Sequence, residues 1–455
     1  MMKKIGIVLV CLLVLTGLLP AQKTVVSGTL EELIPGKRQA VNLQQIAAMA
    51  RAIAMADISA DKKFYIETEV EKSGFYRLNV MGKSFFIYLN PGDSLNLEEK
   101  DGRMIVSGKG WMAENQLMFD NQEYQDEYYR LPVPVRTGFG EGRAEGSWKA
   151  YQLKMKALKK ADVRPEFKEK YRGFAGVEYW KNMTGGLGVR EEGNLSSGYY
   201  KAVKRVKLTE AMVNHGEWYD ILNTWLTYNL RKKNIRLTTY ENWLKETASF
   251  IPDKGLREAY LVRQIELEVL RGEFVGLPEA VDAVEKMIRK PENEAKVKEQ
   301  MELMEKNYAR YSQCLPGTDL GDFEFSDRAG KTVKLGDLKE TYVYIDVWST
   351  GCLPCKQEIP FLAKLEKAME KRNIIFVSIS LDTKNEVWQK FIREKNLGGL
   401  QLITEKGFKH PFCATMGMGG IPQFILLDKD SKVINFNAKR PSNPVLWNYL
   451  DGIVD

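Results

Sequence analysis

The sequence predicts a multidomain protein: an N-terminal all-β, sandwich-like part, a middle all-α part and a C-terminal α/β domain. Three observations carry this. The chain has 455 residues, and about 150 residues per domain gives a prior of roughly three domains. Apolar residues alternate with period two over 24–110, then recur at helical spacing, then gather into β-branched strands separated by helices. Finally, 44% apolar and 11% aromatic residues suffice for packed cores and exclude a mainly disordered chain.

The first 22 residues read as a signal peptide. Lys3 and Lys4 precede an apolar run from Ile5 to Leu19, and Ala21 offers a small residue for cleavage. That run is shorter than the roughly 20 residues a bilayer core requires, which disfavours an uncleaved anchor. Cys11 does not mark a lipoprotein, because Val10 stands where processing requires Gly, Ala or Ser. The mature chain is therefore expected outside the cytosol. Lys and Arg outnumber Asp and Glu by 67 to 60, a formal +7 that falls once Lys3 and Lys4 are removed. So weak an excess, spread over a long chain, excludes a nucleic-acid partner.

Over 23–110, TVVSGTL, KFYIETEV, GFYRLNV, KSFFIYL and DSLNLEE each read as a strand, with turns at Ser73-Gly74, Met81-Gly82-Lys83 and Pro91-Gly92-Asp93. The Ala-rich piece from Ile46 to Ala56 reads as a helix inserted among them. Residues 111–312 lose the turn pairs, and 198–231, 254–289 and 292–312 fit helical spacing. The basic stretch Lys154–Arg172 contains Asp162, Glu166 and Glu169, so it reads as a solvated helix face. Over 313–455, FEFSD and TVKLG form a hairpin, YVYIDVW, IIFVSIS, QFILLD and KVINF read as strands, and helices fall at 354–371, 384–396 and 442–451. Strands alternating with helices imply a partly parallel sheet covered on both faces.

The chemistry sits at IDVWSTGCLPCKQEIPFL, where a buried strand turns into a helix. A helix N-terminus offers unpaired N–H groups and partial positive charge, and both stabilise a thiolate. Cys352, first in the helix, reads as the exposed nucleophile. Cys355, nearly one turn on, is placed to attack a mixed disulfide. Pro354 stiffens the first turn where its missing N–H costs nothing.

In these residues the chain resembles the thioredoxin fold, and within it the TlpA/ResA-like thiol-disulfide oxidoreductases. Asp346 matches the buried acid that shuttles protons to the inner cysteine, Trp348 the strand-end tryptophan, and Pro360 the proline that kinks the active-site helix. The run from Cys352 to Pro360 matches C-x-P-C-K-x-E-x-P, making Glu358 the candidate active-site glutamate. Gly420-Ile421-Pro422-Gln423-Phe424 resembles the cis-proline loop that faces the cysteines. The resemblance implies Cys352, Cys355, Asp346 and Glu358 in catalysis, a redox disulfide between Cys352 and Cys355, and substrate contacts from Trp348, Ile421 and Pro422. It implies no cofactor, no metal, and a periplasmic protein acting on cysteine-containing envelope proteins with an upstream electron donor at the membrane. The long stretch between Cys355 and Pro422 leaves room for the extra strand and helix of that subgroup. Gly351 is a departure, standing where many relatives carry a bulky residue. The string GFYRL…FFIYLNPGDSLNL loosely resembles a small β domain that precedes such domains in secreted redox proteins.

Three rivals stand beside this reading. A zinc site would need Cys352 and Cys355 joined by His410 and Cys413 as a Cys3His set. A peroxiredoxin-type thiol peroxidase fits Ser349, three residues before Cys352, but needs proline where Ile345 stands. A binding protein with an accessory redox domain is the third. Cys314 and Cys413 read as partly buried thiols outside the redox pair. The direction expected is reduction: only Leu353 and Pro354 separate the cysteines, and the nearby acids Asp346 and Glu358 disfavour a thiolate. Lys356 and the helix N-terminus act the other way.

Overall fold

The computed structural model describes residues 22–46, 52–121, 139–185, 187, 195–233, 235, 239–272, 276–308 and 314–454. Of the segment 1–22 read as a signal peptide, residues 1–21 lie outside them. Among the described residues no helix is long and apolar enough to cross a membrane. The chain divides into two compact units. The first takes the described residues up to Gly185, with Leu195–Val206 and Ala211–Asp220; the second takes Lys207–Glu210 and Ile221 onward. The stretch read as one helical part, 111–312, is thus shared between the two units.

In the first unit, β1 (Lys23–Thr29), β2 (Ala40–Gln45), β3 (Ala52–Asp57), β4 (Lys63–Glu69), β5 (Gly74–Val80), β6 (Lys83–Leu89), β7 (Ser94–Lys100) and β8 (Arg103–Lys109) form two sheets. Their orders are β4-β1-β7-β8 and β3-β2-β5-β6. Only β1 and β7 run parallel; the other pairs are antiparallel. The period-two pattern explains the packing: alternate residues face inward. Val26, Ile66, Leu95 and Leu97 from one sheet share a core with Leu43, Leu78 and Ile87 from the other. The Ala-rich piece corrects the sequence reading. Within it, Ala52–Asp57 is not a helix but β3, antiparallel to β2, because tertiary pairing along β2 overrides alanine's helix preference; residues 47–51 lie outside the described residues.

The helix α1 (Met112–Asp120) closes the outer edge of β6. The Asn115 amide mimics a strand partner: its Oδ1 accepts from the Tyr88 N–H at 2.8 Å and its Nδ2 donates to the Tyr88 carbonyl at 2.9 Å. Helices α2 (Glu141–Lys160), α3 (Pro165–Thr184) and α4 (Ser197–Val203) follow. Phe167, Tyr171 and Phe174 on α3 pack with Phe75, Phe86 and Tyr88 of the sheet. Gly173 lets α3 approach the chain at Ala211, where a Cβ would meet the Ala211 carbonyl at 2.1 Å.

Helix α5 (Trp218–Lys232) leads into the second unit, which continues with α6 (Tyr240–Ser249), α7 (Lys254–Arg271), α8 (Leu277–Val284) and α9 (Pro291–Tyr308). Then come β9 (Glu324–Asp327), β10 (Thr332–Lys334), β11 (Tyr342–Trp348), α10 (Leu353–Ala368), β12 (Ile374–Ser380), α11 (Asn385–Glu394), β13 (Leu400–Ile403), α12 (Pro411–Thr415), β14 (Gln423–Leu427), β15 (Val433–Asn435) and α13 (Pro444–Ile453). The seven strands form one sheet ordered β10-β9-β13-β12-β11-β14-β15. β11, β12 and β13 are parallel, and β14 is antiparallel to β11. The extra strand and helix expected between Cys355 and Pro422 are present, with β13 at Leu400–Ile403, a position no sequence pattern had marked, and α12 after it.

Both faces of this sheet are buried. Val343, Ile345 and Val347 point to one face and share a core with Leu244, Leu261, Ile265 and Leu277 of α6, α7 and α8. The alternate residue Tyr344 joins Leu362 and Leu365 of α10 and Leu446 and Leu450 of α13 on the other. The expected boundary at 313 therefore does not separate two cores: the last helices of the middle stretch belong to the core of the C-terminal sheet.

Candidate functional site

Strand β11 ends at Trp348, and the turn 349–352 carries the chain into α10. Asp382, just beyond β12, fixes that turn. Its carboxylate accepts the Thr350 N–H at 2.9 Å, the Thr350 hydroxyl at 2.8 Å and the Ser380 hydroxyl at 2.7 Å. The Leu381 N–H donates to the Trp348 carbonyl at 2.8 Å, tying the two strand ends together. Cys352 is then delivered at the N-cap of α10, with Pro354 in the first turn.

Cys352 and Cys355 form a disulfide with Cα atoms 5.3 Å apart. The Cys355 N–H points at Cys352 Sγ from 3.1 Å, which is the helix-terminus contact that favours negative charge on that sulfur. Cys352 is half-buried, and Cys355 is buried against Trp348, Trp388, Ile392 and Ile403. The Ile421–Pro422 peptide bond is cis, and the Ile421 carbonyl lies 3.7 Å from Cys352 Sγ. The two motifs, far apart in sequence, meet at one end of the sheet. Gly351 is exposed, with open space where a Cβ would stand.

Asp346 occupies the same face of β11 as Tyr344 and Trp348, beneath α10, because strand side chains alternate. Burial pushes its carboxyl up to about 8, and the like charges of Glu358 and Glu366 on α10 push in the same direction. Glu358 is buried as well, but its carboxylate is engaged with the final turn of the chain. It accepts the Ser442 N–H at 3.0 Å and the Ser442 hydroxyl at 2.9 Å. Trp348 departs from its expected role. It is only 2% exposed, so it supports Cys355 from beneath and has no surface to offer a partner. Lys356 lies over the Phe391 ring at 5.7 Å.

His410 and Cys413 do not join the pair. His410 caps α12, its Nδ1 accepting the Phe412 N–H at 3.3 Å, and stacks on Phe325 with ring centres 5.0 Å apart. Cys413 packs in the core shared with α6–α8, apart from the cluster around Cys355. Burial pushes the thiols of Cys314 and Cys413 up to about 11, which makes both poor nucleophiles. The Cys3His set is thus not assembled among the described residues. The second histidine, His215, gathers with Glu178 and Glu217 in the first unit. Its Nε2 bonds Glu178 at 3.0 Å and its Nδ1 accepts the Glu217 N–H at 3.1 Å, leaving neither nitrogen for a metal.

Sequence reasoning missed Asp382, Thr350 and Ser442. The acid closing the run Ser378-Ile379-Ser380-Leu381-Asp382 was a visible signal for the first, since a carboxylate after a parallel strand lies at the sheet's active end. Ser442 carried none.

Comparisons with known proteins agree on the C-terminal part. Residues 316–436 match the AhpC/TSA family. A curated relative, thiol-disulfide oxidoreductase ResA of Bacillus thuringiensis (strain Al Hakam), is 28% identical over 137 residues, 30% of this chain and 78% of the relative. A candidate thiol-disulfide oxidoreductase of Bacteroides vulgatus, known from a solution structure, is 40% identical over 31% of this chain and 94% of its own, with a TM-score of 0.28. The thioredoxin domain of a thiol-disulfide oxidoreductase from Bacteroides vulgatus, known from a crystal structure, is 27% identical over 31% and 99%, with a TM-score of 0.29.

Proposed function

We propose that this chain, whose C-terminal domain is a TlpA/ResA-like member of the thioredoxin superfamily, is a reductase of protein disulfides working outside the cytosol. One observation carries the reading: a redox pair at a helix N-terminus whose outer sulfur is half-exposed beside the Ile421 carbonyl. In the reduced protein the Cys352 thiolate attacks a partner's disulfide. A mixed disulfide forms, and the partner's other sulfur leaves and takes up a proton. Cys355 then attacks Cys352 Sγ, giving its proton to Asp346. The mixed bond breaks, the partner keeps two thiols, and the Cys352–Cys355 disulfide holds the two-electron oxidation. Ile421 and Pro422 present backbone to the partner's segment.

The buried acids support the direction, since negative neighbours disfavour the reduced thiolate and make the couple more reducing. The apolar leader at 1–22 supports a periplasmic setting. The partners are cysteine-containing envelope proteins, and a dithiol donor at the membrane returns the electrons. Insulin reduction with dithiothreitol is expected to be accelerated by the protein and to lose that acceleration in Cys352→Ser; equal activity in the variant sinks the assignment. A reduction potential near −120 mV, at the oxidising end of the range, would reverse the direction. The AhpC/TSA match favours one second reading, a thiol peroxidase. Ile345 lies inside β11 where that site needs a proline, so hydrogen peroxide is expected to be consumed no faster than by an ordinary thiol. Rapid consumption would establish the peroxidase instead.

A further inference from the structure

We infer that the rim of β3 is a self-association surface, on which a second copy of this chain pairs its own β3 antiparallel about a twofold axis. The inference is independent of the exchange reaction and concerns the first unit alone.

A strand at the rim of a sheet presents a row of unpaired N–H and C=O groups, a template for another chain. The two sheets of the first unit have four such rims, β4, β8, β3 and β6. Three of them are guarded. Asn115 occupies the rim of β6. The next residue, Gln116, does the same for β8: its Oε1 accepts the Val106 N–H and its Nε2 donates to the Met104 carbonyl, both at 2.9 Å. β4 turns Lys63, Glu67 and Glu69 to solvent, and charges along a rim discourage pairing.

β3 carries neither an amide cap nor a row of charges. It is paired with β2 alone, and its first five residues, Ala52 to Ala56, are all apolar. Yet it is the one strand of the eight in this unit without a fully buried residue. The register sets Ala54 and Ala56 on the inner face, opposite the buried Leu43 and Val41. Side chains that small leave the inner face thin. Ile53, Ala54 and Ala56 pack against the core but stay part-exposed, and Met55 on the outer face is 53% exposed. A strand added at this rim would take that apolar surface out of water.

Pattern and charge identify the occupant. A second β3 meets the first with the same uncharged apolar row. In sequence the row is bracketed by Arg51 and Asp57. An antiparallel pair centred on Ala54 sets Met55 beside Ile53 and each Asp57 beside the other copy's Arg51, whereas a parallel pair sets like charges together. Opposite charges across strands stabilise a pair and like charges oppose it. The irregular register at Ile53 shortens the regular ladder. So short a pairing falls below the roughly 800 Å² per partner of a stable complex, which makes the dimer weak and dependent on concentration.

The test is sedimentation velocity on the full chain with dithiothreitol present, so that no intermolecular disulfide contributes. The weight-average mass is expected to climb from one chain toward two between about 1 and 100 µM, and hydrogen exchange of the β3 amides to slow over the same range. Met55→Lys puts charge on the rim, and Asp57→Arg sets like charges together. Each is expected to move association to about tenfold higher concentration, since the twofold axis removes two contacts at once. Met55→Leu and, on the guarded rim, Tyr65→Lys are expected to leave it in place. Thermal melts verify that the variants, all at exposed positions, are folded. A chain that stays monomeric throughout overturns the inference and leaves the rim to an extended segment of another protein. A dimer that either Met55→Lys or Asp57→Arg leaves intact overturns it as well, as does one that Tyr65→Lys dissolves.

Discussion

Asp346 holds its proton to about pH 8 in the folded chain, against 3.8 for an ordinary aspartate. Between those values the folded state binds more protons than the unfolded state, so stability falls as pH rises through the window and levels off above it. Asp346→Asn removes the penalty. The variant is expected to match the parent in urea denaturation near pH 4 and exceed it near pH 8, by an amount on the order of a few kcal/mol. Equal gains at both pH values would show that ionisation is not the cause. The cysteines, Asp346 and Pro422 were legible in sequence because each sits in a short local pattern whose chemistry explains its spacing. Asp382 was signalled only by its place after a strand, and Ser442 was not signalled. Their partners lie 32 and 84 residues away, and only the folded sheet brings them together. Trp348 misled for a related reason: a pattern locates a residue at the end of a strand but not on which side of the surface it lies.

At the scale of elements, the edge of β6 shows how much rests on one amide. Asn115→Ala would leave the Tyr88 N–H and carbonyl without partners in a buried setting, and each such loss costs about 1–3 kcal/mol. A urea midpoint unchanged by that substitution would refute the pairing role. The strands with strong alternation were readable; β2, β3 and β8 were not, because β2 is short, β3 is Ala-rich and β8, at a sheet edge, buries only Met104, so each becomes a strand only once a neighbour offers an edge. The parallel set β11, β12 and β13 has a further consequence. The segments that follow parallel strands start at one edge of a sheet, and here they carry Leu353 and Val387 in the first turns of α10 and α11 and Phe408 in the short helical turn after β13, 64%, 47% and 50% exposed. Serine at Val387 and Phe408 together is expected to slow insulin reduction several-fold while leaving turnover of a small aromatic disulfide intact. Parallel losses on both substrates would mean the two side chains do not meet the protein partner.

The whole molecule departs most from its sequence reading in where the cores divide. Composition changes near 313, from charged helices to β-branched strands, and that change is real. It does not mark a boundary of packing, since Val343, Ile345 and Val347 share their core with Leu244, Leu261 and Leu277. Periodicity tells which face of a helix is apolar but not which sheet will cover it. A fragment beginning at Cys314 is expected to unfold at distinctly lower urea than one beginning at Ile221, because it bares one apolar face of the sheet. Coincident unfolding curves would show that α6–α8 add nothing.

That shared core also limits how the redox domain can be reused. A cassette that buries both of its own faces can be cut at its linkers and spliced in front of any other module. Here the sheet has lent one face to helices encoded before it, so a transplant cut at the compositional seam would arrive with a sticky side. Recombination, natural or engineered, that moves this active site intact should carry the preceding helices as luggage.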